Sequence, residues 1–579
     1  MNGRILRFCQ TVALLTVSAG MQAQTTYTDG VFMLNEDWFG HNNSTINFLR
    51  PENDVDPFEY YIIQNNEANA GQSLGCTAQF GAIYGDNIYI ISKQDQDGGE
   101  RGREGGRIVV ADARTMEIKK RIPVIMTNKE GKSIADGRGF VGVNEKKGYV
   151  GSSNGIYILN LETYDIVKQI EGTENPLITG DEVNSDGIGP LYQNQIGMML
   201  RTSDYVFAIQ QDKGVLVIDP ETDKIIKTIE GCFCTMVQSK DGNIWVGRNT
   251  NMDYQDYPYG EMGASGECWE GKELLRIDPS TFETRAVPIT VGGLNQTWYA
   301  WTAGSLCAST HRNVLYFTFN EDKWSWFTTS KMYEYDIDSD TFTQIYDSSK
   351  DERFFYGAGI RINPLDDKIY GALYLDNNRQ DYWVYQMDNA GNILQEFEPI
   401  QRYWFPALFI FPDKYAPEVK EFTDITLKNG TEEINLTDMA SDKDNQDIAI
   451  VKTIQSISNE NVVAASIKNN RLKLIPKAIG DTEITIRFDS NGKYVDRILQ
   501  VHSQTTGVQA NETEQIEFIT GNGGVQIKGL THNAYLTIYN TQGVQVYAAE
   551  ITSDEVITGL SKGHLYVAII NNQTYKLIY

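Results

Sequence analysis

An all-β chain built around a seven-bladed β-propeller follows from three features of the sequence: a repeated strand pattern, a first repeat lacking one strand, and a matching orphan strand downstream. The recurring unit is a short apolar strand, a loop, a second apolar strand, a turn with Asp, then an alternating third strand. It occurs at 30–63, 87–122, 148–170, 205–229, 243–289, 313–346 and 368–398, with KGYVGSSNGIYILNLETYDIVKQIEG from Lys147 and DYVFAIQQDKGVLVIDPETDKIIKTIEG from Asp204 as the clearest copies. Every unit after the first is preceded by a further β-prone segment, such as CTAQFGAIYG from Cys76. Four antiparallel strands in a repeat of roughly 40–60 residues describe a propeller blade. The first unit lacks its leading strand, and YWFPALFIFPD from Tyr403 stands after the seventh without one of its own. Pairing the two closes the ring and removes a sheet edge.

The elements then fall in order. Residues 1–23 read as a secretory signal: Arg4 and Arg7, an apolar run from Phe8 to Val17, and small residues up to Ala23. The run is too short to span a membrane, so no transmembrane segment is expected. The propeller occupies 25–413. Short alternating strands over 414–503 predict an immunoglobulin- or cadherin-like β-sandwich, a polar linker covers 504–514, and a small C-terminal β-sandwich covers 515–579. The expected location is the outer cell surface, after secretion.

Composition narrows the function. Nine Trp, 32 Tyr and 23 Phe with 41% hydrophobic residues exclude a disordered chain. Fifty basic against 77 acidic side chains leave a net charge of −27, which repels phosphate backbones, so nucleic acid is not a partner. Cys76, Cys232, Cys234, Cys268 and Cys307 form an odd set after signal removal and are read as buried thiols rather than a disulfide framework or a metal site.

The loops are asymmetric. Turns on one face are short and polar: DARTME, NLETYD, DPETDK, DPSTFE. The other face receives NEDWFGHNNS from Asn35, KQDQDGGERGREGG from Lys93, the long segment from Arg248 to Gly271, NEDKWSWFTTSK from Asn320 and LDNNRQDYW from Leu375, and eight of the nine Trp fall on this face. Aromatic platforms mixed with polar orienters describe a recognition surface. The candidate ligand-binding residues are Trp38, Phe39, His41 and Asn42 in the first loop and Tyr254, Tyr257, Tyr259 and Trp269 in the longest one. Trp298, Trp324 and Trp326 follow, then Arg379, Trp383 and Trp404. Trp298 and Trp301 serve equally as wedges between blades.

Other motif matches carry no chemistry. Gly137–Gly142 fits GxGxxG but enters a strand rather than a strand–helix turn. Gly151–Gly155 fits GxSxG but lies in a hairpin. His311 stands in a short turn away from the loops, no HExxH occurs, and acidic neighbours such as Glu36 with Asp37 read as solvated. The acidic turn 442–447 reads as solvated rather than as a calcium loop. No catalytic residue, metal or cofactor is therefore assigned, and binding without catalysis is expected. A surface adhesin or interaction scaffold is the alternative, and a polysaccharide lyase or hydrolase a third reading.

The stretch GVFMLNEDWFGHNNSTINFL with the repeated IDPET-type turns resembles the YncE-like surface propellers, most closely the BtuG-type proteins, over Asp29–Asp413. That resemblance implies capture of cobalamin and handover to an outer-membrane transporter. LTIYNTQGVQVYAAEI and ITGLSKGHLYVAIINNQTYKLIY resemble a type IX secretion (Por) C-terminal sorting domain, with Leu560, Gly563 and Tyr566 at its characteristic positions. BtuG-type proteins carry a lipid anchor, whereas no lipobox follows Cys9, so the tail would supply the surface address.

Overall fold

The structure, a computed structural model, describes residues 26–36, 42–96, 103–178, 194–211, 213–231, 233–248, 273–291, 304–319, 328–375, 381–400, 406–428, 430–505, 516–521, 523–530, 533–552, 555–570 and 573–579. Seven antiparallel sheets of at least four strands succeed one another along the chain. Their first strands are Pro406–Ile410, Cys76–Tyr84, Gly137–Asn144, Ile196–Arg201, Phe233–Gln238, Cys307–Ala308 and Arg353–Ile362, and each packs against the next around a closed ring. The first blade takes its inner strand from the end of the propeller, with Met33 opposite Phe409 and Leu34 opposite Leu408. The orphan strand of the sequence is thus the closing strand.

Local chemistry explains the blades. Second and third strands are buried on both faces, as in Val206–Gln210 and Gly214–Asp219, because neighbouring blades cover both sides. Outer strands such as Lys224–Glu230 alternate. The Asp-containing turn that ends the third strand is a repeated device. The carboxylate of Asp112 accepts the backbone N–H groups of Arg114 and Thr115, Asp278 those of Ser280 and Thr281, and the amide oxygen of Asn160 those of Glu162 and Thr163. Asp219 takes Glu221 in the same way. The next-but-one residues Met116, Tyr164, Asp223 and Phe282 all adopt φ of 55–62°. This is the Asx turn with a left-handed residue that reverses a strand with few residues.

Two β-domains follow. In the first, a four-stranded sheet (Ile425–Leu427, Lys493–Ser503, Gly480–Ser490, Val451–Ile457) faces a three-stranded one (Glu432–Asn435, Arg471–Pro476, Val463–Lys468). Leu472, Leu474, Ile484, Ile486, Phe488 and Leu499 fill the core between them. In the second, sheets of three and four strands enclose Val525, Ile527, Leu536, Ile538 and Ala568.

The sandwich is docked on the propeller face opposite the loops, against the turns that join first to second strands. The Gly85 N–H donates to the Asn491 carbonyl (2.8 Å) and the Asn491 side chain to the Ile83 carbonyl (3.0 Å). Arg487 pairs with Glu145 at 3.2 Å, and the Asn469 N–H donates to Asp204. Gln446 donates to the Ser309 carbonyl, and Ile448 closes on Gly242. Blades two to six therefore each give a turn to this contact. The buried Asp413, at the junction, accepts Lys493 Nζ at 2.7 Å and the Asn491 amide at 2.6 Å.

Candidate functional site

The second strand of a blade ends on the loop face, and the first strand of the next begins there. Polar residues at those ends gather on the loop side of the ring. Glu36 follows the strand Val31–Asn35 and is 6% exposed. One carboxylate oxygen accepts the Tyr356 hydroxyl at 2.7 Å and the other the Gln79 amide at 2.9 Å, which ties blades seven, one and two. Burial pushes the carboxyl up to about 7, against the opposing pull of the Gln79 and Tyr356 hydrogen bonds and of Lys93. Lys93, at the end of Asn87–Gln94, is 4% exposed, and burial lowers its ammonium to about 8. A carboxyl and an ammonium that both change charge near neutrality stand within each other's field.

Next to them lies Asp136, 1% exposed, its acidity weakened by burial despite three nearby cations, Arg138, Lys93 and Arg107. Arg138 approaches one oxygen at 3.5 Å and bonds Gln195 of blade four. Arg107 Nε faces the other oxygen at 4.0 Å while its NH1 reaches Asp95 at 3.0 Å. Asp136 Oδ1, Arg107 Nε, Gln210 Oε1 and both amide atoms of Gln211 are buried and have no hydrogen-bond partner among the described residues. Buried polar atoms are seldom left unpaired, each costing about 1–3 kcal/mol. These atoms cluster at the loop-side ends of the inner strands, where the central channel of a propeller opens.

Of the residues the sequence nominated, Asn42 is exposed on the loop face. Trp383 lies in the third strand of blade seven, half-buried against the core shared by blades six and seven, with the Arg353 guanidinium stacked 3.9 Å from its ring centre. Trp38, Phe39, His41, Tyr254, Tyr257, Tyr259, Trp269, Trp298, Trp324, Trp326, Arg379 and Trp404 lie outside the described residues. One expectation is corrected: Glu36 is not a solvated acid but an enclosed carboxylate, because it still belongs to the strand end. Lys93, Arg107, Asp136 and Arg138 were not singled out. A charged residue that closes or opens an apolar strand on the loop face was the available signal.

The discounted motifs behave as packing. Gly142 lies so close to the Tyr84 ring that a Cβ would stand 2.0 Å from it, and Ser153 only braces Asp136 by accepting and donating backbone-directed bonds. Cys76, Cys234 and Cys307 are buried, and Cys234 and Cys307 are free thiols. Cys232 and Cys268 lie outside the described residues. Among the described residues no helix is long and apolar enough to cross a membrane.

Several solved structures match the chain at low identity. A quinoprotein alcohol dehydrogenase-like protein from Bacteroides thetaiotaomicron is 14% identical, covers 67% of this chain and 79% of its own, at a TM-score of 0.46. The extracellular domain of a one-component system from the same organism is 13% identical over 84% of this chain and 56% of its own (TM-score 0.37). A β-propeller domain of Cps50 (Swd1) from Myceliophteria thermophila is 9% identical over 60% and 94% (TM-score 0.36). At these scores the fold rests on the sheets themselves, and no function passes from one protein to the other. No curated protein matches the chain. A family model, a domain of unknown function (DUF5074), matches residues 29–412, two thirds of the chain, and spans the propeller from its first strand to its closing one; the chain belongs to that family.

Proposed function

We propose that this is an exported surface protein that captures a small polar ligand on the loop face of its propeller and does not transform it. The observation that carries this reading is the cluster of buried polar atoms at the channel mouth, around Asp136, Arg107 and Gln211, that have no hydrogen-bond partner among the described residues. The sandwich occupies the opposite face, so a ligand approaches from the loop side. Charges at the mouth are mixed, with Glu36, Asp95 and Asp136 against Lys93, Arg107 and Arg138. A mixed field suits a ligand rich in neutral donors and acceptors better than a polyanion. Cobalamin, with its peripheral amides and single phosphate, has that chemistry and agrees with the BtuG-type resemblance. Handover to an outer-membrane transporter follows from the same resemblance. Export rests on the N-terminal charged and apolar run, and surface retention on the sorting-type tail.

Titration of the full mature chain with cyanocobalamin, followed by calorimetry and tryptophan quenching, tests the reading. Saturable one-to-one binding supports it. No heat at high micromolar ligand, with a macromolecule retained in pull-down instead, moves the function to an adhesin. Turnover in a glycan library, lost on Glu36→Gln, replaces capture by catalysis.

A further inference from the structure

Blades one and seven pack side by side, and on the sandwich side of that seam lies a crevice of about 420 Å³. It sits at the far end of the blades from the channel mouth. Its lining comes from the start of Val31–Asn35, the turns after Leu49 and Ile362, the third strand of blade seven, and the segment 411–414 leading to the sandwich. The volume falls within the range of small-molecule sites, about 300–1,000 Å³.

The walls are apolar. Val31, Leu365, Tyr370, Phe411 and Pro412 all contribute, and the Tyr370 and Phe411 rings meet edge to face at 5.6 Å. Among them sits one polar pair. Gln386 Nε2 donates to the Tyr370 hydroxyl at 2.6 Å, and the two residues are 4% and 2% exposed. Gln386 Oε1 has no partner among the described residues, and the Tyr370 hydroxyl proton is not spent on Gln386. Burial raises the phenol's pKa above its ordinary value, which keeps that proton in place. The inventory does not depend on which way the amide is turned. With Nε2 towards the tyrosine, the pair offers a phenolic O–H donor and an amide C=O acceptor. Turned over, it offers an amide N–H donor and a phenolic lone pair. One donor and one acceptor, side by side, face an apolar slot in either case.

The rim argues against a charged occupant. Asp29, Glu52 and Asp366 stand against Arg50, Lys368 and Lys414, and the cations are already engaged: Lys414 with Asp29, Lys368 with Asp366 at 3.2 Å, and Arg50 with Glu59 at 2.9 Å. With three acids set against three cations, an added carboxylate or ammonium would lose hydration without entering a field of the opposite sign.

We propose that the seam crevice is a second ligand site, separate from the channel mouth, that takes a neutral planar molecule carrying adjacent N–H and C=O groups, a carboxamide or lactam, through Tyr370 and Gln386. The probe is nicotinamide, titrated into the full mature chain and followed by saturation-transfer NMR, with benzoate as the anionic control. Nicotinamide is expected to saturate with a dissociation constant on the order of 1 mM, while benzoate shows no saturation. Tyr370→Phe and Gln386→Leu each weaken nicotinamide about tenfold, the worth of one hydrogen bond in a dry site, and Glu36→Gln at the mouth leaves it unchanged. No saturation by nicotinamide, or equal binding by all variants, overturns the proposal. Should a variant lose its melting transition, a wild-type crystal soaked with nicotinamide decides: density beside Tyr370 and Gln386 supports the site, and density elsewhere or none refutes it. The outcome is independent of whether cyanocobalamin binds the mouth.

Discussion

Glu36 and Lys93 show how far burial moves two ordinary side chains. The folded state holds the Glu36 proton at about 7 against an ordinary 4.5, so it binds that proton more tightly than the unfolded chain does. Its contribution to stability is complete below about pH 4.5 and disappears as pH rises through about 7. For Lys93, lowered from 10.5 to about 8, the contribution is complete above 10.5 and disappears as pH falls through 8. Glu36→Gln removes the first titration. Thermal melts at pH 5 and pH 8 are expected to show the variant gaining on the wild type at the higher pH, by roughly 3 kcal/mol if the full shift is expressed. Equal differences at both pH values would show that Glu36 is not buried as a carboxyl. Arg138→Met leaves Asp136 with weaker compensation and is expected to cost about 3 kcal/mol in chemical denaturation. None of this was legible in the sequence. Glu36 precedes Asp37 in a polar run, and no residue pattern tells whether such a run begins inside the last turn of a strand or after it.

The blades, by contrast, were readable, because most of them carry their own punctuation. An Asp or Asn ends the third strand, its oxygen gathers two backbone N–H groups, and a left-handed residue starts the fourth strand. The same physics recurs whatever the neighbours, so repeats with different apolar residues still align by their turns. Asp219→Ala removes the acceptor for Glu221 N–H and for the Thr222 hydroxyl and is expected to cost about 1 kcal/mol. Gly142 is the opposite case: part of a glycine pattern that fits a ligand-binding motif, with a tyrosine ring against its backbone. Gly142→Ala forces a Cβ into Tyr84 and is expected to destabilise by about 2 kcal/mol or more, without altering cyanocobalamin binding in whatever fraction remains folded. Retained stability would mean that the inner strands of blades two and three are further apart than described. Loop aromatics were the most visible sequence signal for a binding face, yet the polar cluster described on that side is made of strand-end charges.

For the whole molecule, closure and docking set the direction of access. The closing strand comes from the far end of the propeller, so the ring is a single cooperative unit rather than a row of independent blades. The sandwich then rests on turns from five consecutive blades, opposite the loops. Composition could separate the β-domains but not orient them, because the contact is built from turn backbones such as Gly85 and Asn491 and from a few ion pairs rather than from an apolar patch. Lys493→Met strands the buried Asp413 and is expected to loosen this docking by about 3 kcal/mol. Limited proteolysis would then release an intact sandwich earlier than in the wild type. Equal release would show that the latch does not hold the domains together.

The capture reading meets its most direct test in calorimetric titration of the full mature chain with cyanocobalamin, beside a variant in which Arg107 and Arg138 are both changed to Gln. Saturable one-to-one binding by the wild type, weakened by a hundredfold or so in the variant, is the result expected of a ligand completing the channel mouth. Absence of binding by a folded wild-type chain would contradict cobalamin capture, and unchanged binding by the folded variant would place the ligand elsewhere than the mouth.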